Sequence, residues 1–177
     1  LKPKNLWTKL DVITASYGQV ISATPLQLIS AFSTFANEGV RMRPYIISEI
    51  KDERETIKIE PQILSRTTSK ETANIIRETL TNSVKDDSLG YYGKELIPYS
   101  VVAKTGTAQI ASKDGGYQEK YTNDTVIGFA PSEDPKMIML VKLQEPKNAS
   151  FASLTTVPVW RDIFLSIADD MEIKKQK

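Results

Sequence analysis

Four consecutive residues, Lys104-Thr105-Gly106-Thr107, carry the strongest chemical signal in the chain. They sit in the stretch SVVAKTGTAQ, where Val101, Val102, Thr105 and Thr107 favour a pleated surface through β-branching. On a strand, Lys104 and Gly106 share one side while Thr105 and Thr107 share the other. A glycine inside a strand packs nothing and costs entropy, so it marks a place where another backbone or a ligand comes close. If this is an edge strand bordering a cleft, its free N–H and C=O groups can pair with an extended peptide. Lys104 then offers a fixed positive charge, and the hydroxyls of Thr105 and Thr107 can hold a carboxylate. The chemistry is recognition of an extended peptide that ends in a free carboxylate. Exposed polar residues on a half-buried strand give the same short string, and four residues alone do not separate the two accounts.

The rest of the composition narrows what such a site can use. The 177 residues contain no cysteine and no histidine. That removes disulfides, thiol nucleophiles, zinc sites of Cys/His type and a Ser-His-Asp triad within this chain. Proton transfer falls to Lys, Asp, Glu or Tyr, and no metal or cofactor is expected. With 23 basic against 22 acidic side chains, the formal net charge is +1. A nucleic-acid partner held by phosphate neutralisation does not fit that balance. No apolar run approaches the roughly 20 residues of a membrane helix. The first residue is leucine, which points to a start inside a longer protein.

The elements that must position the motif follow from periodicity and caps. In SATPLQLISAFSTFANEG, Thr24 suits an N-cap and Pro25 the first helical position. Leu28, Phe32 and Phe35 share one face, and Gly39 is placed for a left-handed C-terminal turn. Strand-like runs follow in RPYIISEIKDE and TIKIEP. TSKETANIIRETLTNSV predicts a second helix, with Thr68 and Glu71 as its capping box. KDDSLGYYGKELIPYS reads as loop. Three strands are expected at about 101–109, 125–130 and 137–143, the last two joined by a short turn that makes them antiparallel. A helix over about 157–171 closes the chain, with Val157, Trp160, Phe164 and Ile167 as its stripe. The expected class is α+β, an antiparallel sheet with packed helices.

The motif, its order and its surroundings together resemble the penicillin-binding protein and serine β-lactamase superfamily, in which a Lys-Thr/Ser-Gly strand lines the active site. ASYGQVISATPLQLISAFSTFANEGVRMRPYII, KTGTAQ, GGYQEKYTNDTVIGFAPSEDPKMIMLV and VPVWRDIF look like successive segments of class B penicillin-binding transpeptidases. Val20 departs from that pattern, standing where the family usually has glycine in a Gly-x-Gly-Ile turn. The resemblance implies a penicillin-binding transpeptidase / serine β-lactamase-like fold and a D,D-transpeptidase that cross-links peptidoglycan stem peptides through a serine acyl-enzyme. It implies that Lys104 supplies charge at the site floor and that Thr105 and Thr107 hold the terminal carboxylate. Gly106 completes the substrate strand, and the Thr107 backbone N–H is one arm of the oxyanion hole.

Two further motifs of the family, Ser-x-x-Lys and Ser-x-Asn, are not found in working positions. Ser48-Glu49-Ile50-Lys51 fits the first in letters only, since it alternates like a strand and its ends face opposite ways. Tyr121-Thr122-Asn123 is similar to a Tyr-x-Asn variant of the second but follows the Lys-Thr-Gly motif instead of preceding it. Tyr117 and Tyr121 can line the cleft. Residues 1–177 are therefore expected to be the C-terminal portion of one transpeptidase domain, without the nucleophile. The expected partners are a stem peptide ending in D-Ala-D-Ala, β-lactams, the missing N-terminal half of the domain and a membrane glycosyltransferase. The expected place is the extracytoplasmic face of the bacterial membrane, with an anchor upstream of this chain. A noncatalytic peptide- or β-lactam-binding module remains open, as does a D,D-carboxypeptidase or β-lactam sensor of the same superfamily.

Overall fold

A computed structural model of the chain describes residues 3–19, 21–112, 116–147, 149 and 151–176. Val20 lies outside the described residues, so the turn at which the sequence departs from its family is not characterised. Two capping boxes start the first two helices. In α1 (Lys9–Ala15) the Thr8 side chain accepts from the Asp11 N–H at 3.2 Å, while Asp11 Oδ2 accepts from the Thr8 N–H at 2.7 Å. That helix was not anticipated, although Thr8-x-x-Asp11 is a legible signal. In α2 (Pro25–Ala36) Thr24 and Gln27 play the same parts, with Pro25 at the first position. Gly39 adopts φ 88° and donates to the Thr34 carbonyl at 2.8 Å, closing the helix with the expected left-handed turn.

Two small hairpins connect α2 to the next helix. β1 (Val40–Met42) pairs with β4 (Ile63–Arg66), and β2 (Glu49–Lys51) pairs with β3 (Thr56–Lys58), both antiparallel. Helix α3 (Lys70–Lys85) is capped one residue later than the sequence suggests. Ser69, not Thr68, accepts from a backbone N–H, that of Thr72 at 3.1 Å. The stretch expected as loop holds a 3₁₀ helix, Tyr91–Tyr99, whose Leu96 is fully buried.

The main sheet runs β5 (Val102–Ala111), β6 (Tyr117–Ala130) and β7 (Met137–Gln144), in that spatial order and antiparallel throughout. β6 begins well before the expected residue 125, because the polar residues ahead of Thr125 continue the ladder opposite β5. Helix α4 (Thr156–Ile167) follows, ending four residues short of the expected boundary.

Alternation sorts the sheet into two faces. One carries Ala103, Val126, Ala130, Met139 and Val141 and packs under Val157, Trp160 and Phe164 of α4. The Trp160 Nε1–H donates to the Met139 carbonyl at 3.0 Å, and its ring stacks on Phe164 with centroids 5.1 Å apart. The other face carries Val102 and Phe129, and Phe129 meets Phe32 of α2 edge-on with centroids 5.8 Å apart. The structure is an α+β fold, as expected: an antiparallel sheet between helices.

Candidate active-site strand

β5 lies at the edge of the sheet and pairs only with β6 among the described residues. Lys104 is exposed and folds back so that its ammonium donates to the Thr105 carbonyl at 2.8 Å. No carboxylate lies within ion-pair distance of it among the described residues. By alternation Lys104 emerges on the α2 side of the sheet, as does Gly106, while Thr105 and Thr107 emerge on the α4 side. A ligand that touches the ammonium and both hydroxyls must therefore run along the free edge between the two faces.

Thr107 is exposed, and its Oγ1 accepts from the Ala152 N–H at 3.1 Å. A hydroxyl that accepts in this way keeps its own proton to donate. A Cβ built at Gly106 would lie 2.7 Å from Thr125 Oγ1, the side chain directly opposite it on β6. That hydroxyl donates to the Gly106 carbonyl at 3.3 Å. The glycine thus makes room for a neighbour within the sheet, which is a reason independent of any ligand.

Two cavities among the described residues lie elsewhere. One of about 470 Å³ is walled by Arg77 and Thr81 of α3 with Ser100 and Ser132, and another of about 530 Å³ by Asp169, Glu172 and Lys174. Neither includes Lys104 to Thr107. A strand edge supplies one wall of a groove, and a pocket needs a second.

Ser48 and Lys51 do not form a working pair. Ser48 precedes β2 and Lys51 ends it, with the Lys51 ammonium 2.9 Å from Glu49. Tyr117 and Tyr121 are exposed on β6, and Asn123 continues that strand opposite Ala108. Asp124, Ala152 and Thr155 were missed altogether. Thr155 Oγ1 donates to Asp124 Oδ2 at 2.6 Å across 31 positions of sequence, a distance no local pattern reveals.

An antiparallel sheet backed by one helix, with further helices on its other face, matches the fold of penicillin-binding transpeptidase domains. The chain belongs to that family: the model of the penicillin binding protein transpeptidase domain matches residues 2–165. Stage V sporulation protein D of Bacillus subtilis (strain 168) is 32% identical over 174 residues, covering 95% of this chain and 26% of that protein. The peptidoglycan D,D-transpeptidase FtsI of Buchnera aphidicola subsp. Baizongia pistaciae is 28% identical over 172 residues, covering 97% of this chain and 29% of that protein. The chain thus spans under a third of the length of these two curated relatives. Among solved structures, penicillin binding protein 3 of Mycobacterium tuberculosis in complex with ampicillin shares the fold at a TM-score of 0.85 and 24% identity, over 99% of this chain and 41% of that one. The transpeptidase domain of penicillin-binding protein 3 from Burkholderia pseudomallei superposes at a TM-score of 0.78 with 26% identity, over all of this chain and 51% of that one.

Proposed function

We propose that this chain is the C-terminal portion of a peptidoglycan D,D-transpeptidase domain, supplying the substrate-holding strand to a serine carried by the rest of the domain. The observation that carries this reading is the free edge of β5. It sets an ammonium with no carboxylate partner among the described residues on one face and two hydroxyls on the other, astride a line of backbone that an extended peptide can join. A stem peptide ending in D-Ala-D-Ala lies along that edge, its terminal carboxylate held by Thr105 and Thr107. The serine oxygen bonds to the penultimate D-Ala carbonyl carbon and the terminal D-Ala leaves as its amine, taking up a proton. An amine of a neighbouring stem then attacks the ester, which restores the serine and forms the cross-link. Lys104 supplies positive charge at the site floor, and the Thr107 backbone N–H stabilises the oxyanion of each tetrahedral intermediate. A β-lactam takes the place of the D-Ala-D-Ala terminus.

The length of the relatives supports a nucleophile-bearing half, and the apolar residues left uncovered on α1 and α2 are where that half packs. Leu10, Ile13 and Leu26 are each more than half exposed. The complete protein acts at the outer face of the bacterial membrane beside a glycosyltransferase that makes the glycan strands.

Labelling with a fluorescent penicillin tests the assignment. The 177-residue chain alone is expected to take no covalent label, and the complete protein a saturable one. A stable adduct on the isolated chain would put a nucleophile within it and overturn the division of labour proposed here.

A further inference from the structure

Asp124 takes no direct part in that chemistry, yet it is built into the site. It is fully buried and sits opposite Thr107 in the register of β5 and β6, so both side chains project toward α4. Its Oδ2 accepts from the Thr155 hydroxyl at 2.6 Å, while Oδ1 is buried with no hydrogen-bond partner among the described residues. A buried carboxylate with an unsatisfied oxygen is costly, and such a group calls for a reason.

Thr155 shows where that reason lies. It is the N-cap residue of α4, but its side chain makes no capping bond to the helix. The hydroxyl turns back to the sheet, and it is nearer to Asp124 than to the Phe151 carbonyl at 3.2 Å. Between Phe151 and Thr155 the chain forms a tight turn: the Leu154 N–H donates to Phe151 at 2.9 Å, and those of Thr156 and Val157 donate to Ala152 at 3.0 and 2.9 Å. The Ala152 N–H of this turn donates to Thr107 Oγ1 at 3.1 Å. The turn is thus pinned twice, to β6 through Asp124 and to β5 through Thr107. With one lone pair of Thr107 Oγ1 occupied from the α4 side, its own proton remains to be donated on another side, the free edge among them.

We propose, on the basis of the transpeptidase reading above, that Asp124 is a positioning residue for carboxylate recognition. It holds the 151–155 turn through Thr155, and the turn orients the Thr107 hydroxyl as a donor to the substrate carboxylate.

The test is carried out on the complete enzyme, with benzylpenicillin and its methyl ester as paired probes of acylation rate. Only the first bears the carboxylate. Asp124→Ala and Thr155→Val are expected to slow acylation by benzylpenicillin about tenfold, the scale of a hydrogen bond to a charged group, and to leave the ester rate essentially unchanged. Thr155→Ser keeps the hydroxyl and is expected to retain the wild-type preference. If Asp124→Ala does not fold, Thr155→Val decides the matter. Equal slowing of both probes in Thr155→Val marks a merely structural role and overturns the proposal, as does no change in either. Thr107→Val separates the two levels of inference. If Thr107→Val keeps the carboxylate preference, Thr107 does not hold the carboxylate and the basis itself fails. If Thr107→Val loses it while Thr155→Val does not, only the role of Asp124 falls.

Discussion

The face of the sheet beneath α4 and the apolar face of the N-terminal helices follow the same patterning rules and come to different ends. Trp160 and Phe164 repeat at helical spacing, and each is wholly buried against strands of this chain. Leu10 and Ile13 of α1 are just as apolar, yet they are 68% and 60% exposed. Ile46 and Ile47, between the small hairpins, are also open to solvent. Periodicity tells that a face is meant for burial, but it does not tell which piece of protein covers it. The motif strand lies between these regimes: one side of its sheet rests under α4, and on the other Phe129 meets α2 while Lys104 stays exposed.

The largest effect that follows is on chemistry. In the complete enzyme Lys104→Ala is expected to slow β-lactam acylation by about two to three orders of magnitude, the scale of losing one electrostatic stabiliser. Its melting temperature is expected to stay near wild type, because Lys104 is exposed and makes one hydrogen bond to its own backbone neighbourhood. Unchanged acylation would take Lys104 out of the mechanism.

Stability divides the two faces next. Trp160→Ala removes the centre of the finished core and the bond to the Met139 carbonyl, and is expected to cost about 3–5 kcal/mol in urea unfolding. Leu10→Ala in the isolated chain is expected to change stability by less than about 0.5 kcal/mol, as for an exposed position. In the complete protein the same substitution is expected to cost clearly more, because the second half then covers it. Equal effects of Leu10→Ala in both settings would mean that this face has no partner there.

Two glycines grade the backbone in the same way. Gly39 combines φ 88° with a Cβ position 2.2 Å from the Thr68 carbonyl oxygen, so Gly39→Ala is expected to cost about 2–3 kcal/mol. At Gly106 the obstacle is the Thr125 hydroxyl at 2.7 Å, which can turn aside, so Gly106→Ala is expected to cost less than about 1 kcal/mol. If Gly106→Ala nevertheless stops acylation in the complete enzyme, the glycine serves the incoming peptide as well as Thr125. Retained acylation would leave Thr125 as its whole explanation.

Where the chain's own local chemistry decided the structure, the sequence was legible. Thr24, Pro25 and Gly39 bounded α2 because caps act within one turn, and the Val-rich run of β5 was plain from β-branching. The start of β6 was hidden because Thr122 and Asn123 are polar and join the ladder through backbone pairing to β5. The 3₁₀ helix was hidden by Gly93 and Pro98, which favour a loop when read locally, while burial of Leu96 settles it. At the site, Lys104 and Thr107 could be found as a motif on one strand. Asp124 and Thr155 could not, since only the docking of α4 on the sheet brings them together.

The smallest effect expected is that of acid, and it falls on one side of the comparison. Glu38, Asp52 and Glu71 titrate below their usual range. Glu38 is lowered chiefly by the hydrogen bond from Lys70, whose ammonium is 2.6 Å away and ties the end of α2 to the start of α3. Asp52 is lowered by the backbone N–H groups of Glu55 and Arg54 in the β2–β3 turn, and Glu71 by its own backbone N–H and the Ser69 hydroxyl. A pKa depressed in the folded state gives stability that is present above the unfolded value and fades as pH falls through the folded one. Acid is therefore expected to loosen α2, the β2–β3 hairpin and the start of α3 before the sheet under α4. Since all three groups are at the surface, the effect is modest, and the Glu38 part shrinks with salt. Hydrogen exchange from neutral pH down to about pH 3 reads this directly. Amides of Asp52 to Thr56 are expected to lose protection first, and Asp52→Asn is expected to remove most of that acid sensitivity. Simultaneous loss of protection in this hairpin and in β6 would mean that the two regions unfold as one unit, and the contrast between them would be one of burial alone.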